Sequence, residues 1–265
     1  MFFDSVIINL KISLFYCKSF VISVSLNVVI FIFNIIIFKS IYSYNQSQTI
    51  VGYSFSQMVW YIGSTFFISR LIYCNPENSI SEGIISGELA LRLLKPIGLL
   101  KWEYAKAISS KPVVFTTEFL PTFVIFIYII PPDFLSIIVF IKFIIISALS
   151  FHLFFLINFF IGTLAFDFKS ARAFTDIKNI LIVLLGGAFL PIDFFPKTVQ
   201  KIIFYLPFKF FYYVPSNFFI NKEGYQGISV FIETIVIMLI WIVLILLLCT
   251  FLWKLMLKRF CSAGG

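Results

Sequence analysis

Residues 75–111 read NPENSISEGIISGELALRLLKPIGLLKWEYAKAISSK, the only long polar interruption among the apolar runs of the first two-thirds of the chain. Asn75, Pro76 and Glu77 make a helix start: a side-chain cap, a proline in the first turn and an acid at the positive dipole end. Ile80, Ile84 and Ile85 fall on one helical face, with Glu77, Ser81 and Glu82 elsewhere. Gly83 and Gly87 weaken a single long helix, so the spacing predicts two short amphipathic pieces that end before Pro96. Taken alone, the segment fits two uses. It is a helix lying across a membrane face to touch a soluble partner, or a solvated loop resting on lipid headgroups.

Outward from this stretch the chain is apolar. It has 265 residues, 61% hydrophobic and 12% charged, with mean hydropathy +1.05. A soluble domain averages about 25% charged residues, so lipid must be the solvent here. The 37 Phe and the Ile-rich runs reflect a compositional bias, and no single Phe carries meaning by itself. Net charge is +8, but the basic residues sit at the ends of apolar runs. That distribution favours membrane orientation and excludes nucleic acid as the partner. The four cysteines, Cys17, Cys74, Cys249 and Cys261, show no metal spacing and are expected as free thiols. The N-terminus shows no cleavable signal pattern.

A spanning helix needs about 20 mostly apolar residues. Residues 1–18 mix Asp4, Asn9, Lys11 and Lys18 with apolar side chains and suit an interfacial helix. The first expected span is Phe20 to Ile41, whose Ser23, Asn27 and Asn34 share a face suited to packing on another helix. A polar turn leads to the second, Tyr53 to Cys74, with Arg70 placed to snorkel. The third is Pro112 to Ile130 and contains Glu118, an ionisable group at membrane depth. The run Phe134 to Phe166 exceeds one crossing. It holds Lys142, the single histidine His152 as a hydrogen-bonded packing residue, and Asn158 and Gly162 as a small-or-polar seam. A charged turn with Asp167, Lys169, Arg172, Asp176 and Lys178 precedes a short fifth run, Ile180 to Leu190. Gly186 and Gly187 near its end permit close helix packing. The stretch 191–220 contains Pro191, Pro196, Pro207 and Pro215, which forbid one continuous helix. Short re-entrant helices in the outer leaflet, anchored by Tyr205, Tyr212 and Tyr213, fit it. The last span is Ile228 to Trp253, with Glu233 near its outer end.

Basic residues crowd one side of this arrangement, so the positive-inside rule places both termini and the 75–111 segment in the cytosol. The expected fold class is all-α: a polytopic membrane protein forming a single transmembrane domain over 1–265, with six transmembrane helices. No G-x-x-x-x-G-K-[ST], H-E-x-x-H or G-x-S-x-G occurs, so the chain has no ATP-hydrolysing site of its own by motif. No inverted repeat of the kind seen in self-contained carriers is evident.

Three stretches, ISEGIISGELALRLLKPIG (80–98), GGAFLPIDFFPKTVQKIIFYLPFKFFYYVP (186–215) and LKRFCSAGG (257–265), together with the topology, carry a likeness over nearly the whole chain. The chain resembles the type-2 permeases of ATP-binding-cassette exporters, in the six-span branch of about this length. The resemblance implies a translocation pathway built from two permease copies, as a homodimer or as a heterodimer with a related chain. A cytosolic ATPase subunit would drive it, ATP being the cofactor of that subunit and none belonging to this chain. It also implies a bacterial cytoplasmic membrane and a coupling helix within 75–111, with Glu82, Gly83, Gly87, Glu88, Arg92, Lys95 and Pro96 as ATPase contacts. No substrate-facing residue is implied, because the Phe-rich spans depart from the family's usual Leu-rich ones. The rival reading is a stand-alone channel or proton-coupled carrier using Glu118, His152 and Glu233; a structural assembly factor is a third.

Overall fold

The computed structural model describes residues 17–94, 96–168 and 172–259. The interfacial helix expected over 1–18 falls almost entirely outside them, as do Lys95, Lys169 and the glycine-ended tail with Cys261. Among the described residues the chain is helical apart from one ribbon of two-residue strands.

Helix α1 (Cys17–Asn45) is apolar all round, as a lipid-solvated helix must be. Its Ser23, Asn27 and Asn34 lie on the less exposed side with Val24 and Phe31, which faces α2 (Phe55–Ile72). Between them β1 (Thr49–Ile50) and β2 (Tyr53–Ser54) pair antiparallel around Val51 and Gly52, both at positive φ, the geometry of a tight hairpin turn. A capping box starts α2: Ser54 Oγ accepts from Gln57 N at 3.2 Å, and Ser54 N donates to Gln57 Oε1 at 3.1 Å.

Two short helices follow, α3 (Pro76–Ile85) and α4 (Glu88–Leu93). Next, α5 (Leu99–Ser109), α6 (Lys111–Val114), a π-helical turn over Phe115–Phe119 and α7 (Leu120–Ile129) follow one another with scarcely a break. The third expected span therefore continues a helix that begins at Leu99 rather than a loop. Pro121 has no N–H to donate into the turn below it, and Leu120 N bonds back to Phe115 O, so the helix widens there.

Helix α8 (Ile137–Phe168) is the central post. Its 32 residues rise about 48 Å, well beyond the ~30 Å hydrocarbon thickness, so its last turns project alongside α3. Phe143, Leu153, Phe155, Asn158 and Phe159 are fully buried on it, or nearly so. Gly162 makes the contact with α3 possible, since a Cβ there would lie 2.9 Å from both Glu77 Cα and Ile80 Cδ1. The expected seam of Asn158 and Gly162 thus faces the helical pair after α2.

Helix α9 (Arg172–Leu185), turns around Ile192–Phe194 and Pro207–Phe210, α10 (Lys197–Tyr205), α11 (Tyr213–Phe219) and α12 (Ile228–Arg259) complete the chain. Among the described residues, four helical stretches are long and apolar enough to cross a membrane: Val21–Asn45, Leu99–Ile129, Ile137–Phe166 and Ile228–Leu257. The segments expected as second and fifth spans form the shorter helices α2 and α9, of 18 and 14 residues.

Every residue of α11 is buried, wedged against α2 and α8. Backbone that turns at membrane depth must be enclosed by protein, and this segment is. Tyr212 and Tyr213 accordingly point inward, not to the headgroups as expected; of the three tyrosines only Tyr205 is exposed. The phenylalanines also have individual positions. Phe31 and Phe126 stack with centroids 3.7 Å apart over Gly63, where a Cβ would approach Phe31 to 2.9 Å. Cys74 and Cys249 are buried free thiols, as expected.

Replacing Gly162 with Leu should destabilise the protein by roughly 1–3 kcal/mol, the usual cost of overpacking, because the Cβ meets backbone on α3. Thermal unfolding in detergent checks this. A Gly162→Leu variant melting with the wild type would show that α3 does not rest on α8.

Candidate functional site

Helices α3 and α4 form a bent pair at one end of the bundle. Pro76 occupies the first turn of α3, as its fixed φ favours, but the Asn75 side chain makes no cap bond. Gly87 turns the chain between the helices at φ +75, a left-handed conformation that L side chains rarely adopt. Gly83 is buried where Leu89 of α4 folds back on α3; an added Cβ would lie 3.5 Å from that of Leu89.

The buried face of α3 is not the purely apolar one that periodicity suggests. Ile80 is buried, but so are Glu77 and Ser81, while Ile85 is 70% exposed. The cause is a polar cluster at the junction of α8 and α9. Lys178 Nζ donates to Glu77 Oε1 at 3.2 Å and to Asn158 Oδ1 at 2.5 Å, and Asn158 Nδ2 donates to the Cys74 carbonyl at 3.0 Å. Both side chains of the ion pair are at most 5% exposed. Lys178, assigned from sequence to a solvated turn, is therefore an interior lysine that ties α9 to α3, α8 and the end of α2. Burial raises the Glu77 carboxyl above its ordinary value, with Lys178 the main opposing influence. A carboxyl shifted upward contributes its stability at low pH, and that contribution is lost as pH rises through the folded value. Removing one partner of such a pair costs more than the pair itself contributes, because the other charge is left buried and unpaired.

A second set of bonds closes the pair from the other side. Arg92 donates to Ser79 Oγ at 3.0 Å and lies 3.3 Å from Glu103 Oε1 on α5 and 3.2 Å from Glu88 Oε1 one turn away. Of the residues singled out for a partner contact, Gly83 is thus buried and Arg92 is engaged within the chain. Glu82, Gly87, Glu88 and Pro96 are exposed, and Lys95 lies outside the described residues. Sequence reasoning missed the exposed apolar residues beside them: Ile85, Leu91 at 65% and Leu94 at 82%.

The three groups of the carrier reading are held apart by different partners. Glu118 pairs with Arg70 at 3.1 Å, and Arg70 also donates to Ser23 Oγ, so that arginine bridges helices and does not snorkel freely. The Tyr104 hydroxyl and His152 Nε2 lie 2.8 Å apart, and Nδ1 is 2.6 Å from the Ala148 carbonyl. Nδ1 must donate to that carbonyl, leaving Nε2 to accept from tyrosine in the neutral ring. Glu233 stands exposed on α12.

At the opposite end, Gly186 and Gly187 close α9. Gly187 takes φ +76 with a virtual Cβ 2.8 Å from the Tyr61 hydroxyl, which donates to the Gly187 carbonyl; Tyr213 N donates to the Gly186 carbonyl. Nearby Asp193 accepts from Tyr53 at 2.5 Å, Tyr213 at 2.9 Å and Lys222 at 2.7 Å. Burial lowers the Lys222 ammonium from its usual value, and Asp193 opposes that shift.

Four crossing-length apolar helices, with a small helical pair docked by an ion pair at one end, define a multi-pass membrane protein. The chain belongs to the ABC-2 family of transporter proteins, whose family model matches residues 6–264. It is a membrane permease of ABC-type transport, and that family supplies the membrane component rather than the ATPase. No curated protein matches the chain.

Lys178→Met should cost roughly 3–5 kcal/mol, because it leaves Glu77 charged and buried. The double variant Lys178→Met with Glu77→Leu should recover most of that loss. Unfolding midpoints in detergent compare them; a double variant no more stable than Lys178→Met would mean that the pair is not coupled.

Proposed function

We propose that the chain is the pathway-forming half of an ABC exporter, docking through α3 and α4 on a separate ATPase that binds and hydrolyses ATP. Two permease copies, identical or related, complete the pathway in a bacterial cytoplasmic membrane. The chain crosses six times with both termini in the cytosol, α2 and α9 serving as short crossings. The single observation that supports this reading most is the two-sidedness of the helical pair. Its inner face is locked to the bundle by Glu77, Lys178 and Arg92, while its outer face presents Ile85, Leu91 and Leu94 between Glu82 and Glu88. An apolar centre with a charged rim has the anatomy of a small protein contact.

The rival carrier reading needs a proton path through Glu118, His152 and Glu233. The separate partners of Glu118 and His152 give it no support.

Because Glu88 already pairs with Arg92, the cleaner substitutions are at the exposed apolar residues. Ile85→Asp with Leu94→Asp should leave insertion and melting unchanged, since exposed substitutions move stability within about ±0.5 kcal/mol. ATPase co-purification and ATP-driven transport should fall together. Retention of both at wild-type levels would assign this face to the lipid headgroups instead.

A further inference from the structure

Beside the helical pair lies a half-open cavity of about 490 Å³, between the end of α2, the start of α3, the last turns of α5, and α6 with the π-helical turn that follows it. That volume is within the range of small-molecule sites. Its walls carry three cations from separate elements, Arg70, Lys106 and Lys111, and two acids, Glu103 and Glu118. Both acids are already engaged. Glu103 is 3.3 Å from Arg92 and accepts from Ser79 at 3.1 Å, and Glu118 is 3.1 Å from Arg70. Among the described residues neither Lys106 nor Lys111 has a carboxylate within ion-pair distance. Lys106 reaches only Ser79 Oγ at 3.5 Å; Lys111 donates to the Tyr73 carbonyl and sits 4.9 Å above the Phe151 ring. Lys106 is exposed at the cavity mouth, with Glu103 as the nearest opposing charge, and Lys111 is half-buried, so the walls carry three cations against two acids that Arg92 and Arg70 already hold. Tyr73, lining the same cavity, is 64% exposed, as an aromatic ring at headgroup depth would be.

We propose that this cavity binds the phosphate of an anionic phospholipid, held by Lys106 and Lys111 with Arg70 beside them, its acyl chains leaving past Tyr73. A phosphate diester supplies the missing charge, and the apolar wall suits a lipid better than a free phosphate ester. A bound lipid here would brace α3 against α5 and α6. The assignment rests on the reading that this end of the bundle lies at the cytosolic membrane surface.

Titration of the purified full chain in neutral detergent, with added lipid followed by native mass spectrometry, tests it. Phosphatidylglycerol should bind about tenfold or more tightly than phosphatidylcholine, because the choline cation of the zwitterionic lipid is repelled by Arg70, Lys106 and Lys111 while the phosphate is common to both. Lys106→Gln with Lys111→Gln should lose that preference, and Lys106→Arg with Lys111→Arg should keep it. Equal binding of the two lipids by the wild type would overturn the proposal even if the Gln variant did not fold. Unchanged preference in the Gln variant would overturn it too. Competition by glycerol 1-phosphate at the lipid's own affinity would make the ligand a soluble phosphate ester and overturn the lipid assignment. Detergent micelles have no inside, so these outcomes are independent of orientation. Labelling of Lys106→Cys in inside-out vesicles by an impermeant thiol reagent tests the cytosolic placement separately.

Discussion

A lysine placed where no water reaches must be met by an opposite charge, and that requirement organises one end of this bundle. Lys178 finds Glu77 and Asn158, and Asn158 in turn finds the carbonyl of Cys74. Four chain segments are thereby fixed at one point: α9, the start of α3, the lower part of α8 and the exit of α2. Leaving either charge unpaired would cost roughly 3–5 kcal/mol, comparable with the whole stability of a marginal domain. Gly162 is the steric counterpart of the same junction. Without its missing side chain α3 could not come close enough for Glu77 to reach Lys178.

Hydropathy made the long helices legible, and glycine and proline spacing marked the bent pair at 76–93. Periodicity reports which residues share a face, though, and not what that face meets. Glu77 looked like a dipole-end acid and Lys178 like a loop cation, 101 residues apart, because nothing local distinguishes a buried ion pair from two solvated charges. Asn158 and Gly162 could be read as a packing seam, yet their partner was beyond reach for the same reason. The abundance of phenylalanine hid the particular ones. Phe31 and Phe126 are set apart from their neighbours only by Gly63 on a third helix.

The proline-rich stretch 191–220 divides similarly. Its prolines announced broken helices, and the structure has them. The depth of α11 was not legible, since Tyr212 and Tyr213 carry the same signature whether they touch headgroups or interior polar groups. Here Ser69 donates to the Tyr212 hydroxyl, and Asp193 draws Tyr53, Tyr213 and Lys222 together from three parts of the chain. Because every residue of α11 is buried, that helix can lie at membrane depth without presenting its backbone to lipid, whereas α10 keeps Lys197, Lys201 and Tyr205 exposed.

The two polar junctions are joined by one short helix. Lys178 lies in α9, and Gly187, nine residues on, lies just past its end against Tyr61 and Tyr213, about 13 Å away by helix rise. Most of α9 between them is exposed, with Ile180, Leu181, Val183 and Leu184 uncovered by the rest of the chain and Ile182 buried. Little packing therefore holds α9 in place except its two ends. If the helical pair shifts along α8, the Glu77–Lys178 contact must either break or carry α9 with it. Breaking it strands two buried charges, whereas moving a loosely packed helix sacrifices few contacts. Of the two displacements the concerted one costs less, because the ion pair holds α9 to α3 more firmly than packing holds α9 in place.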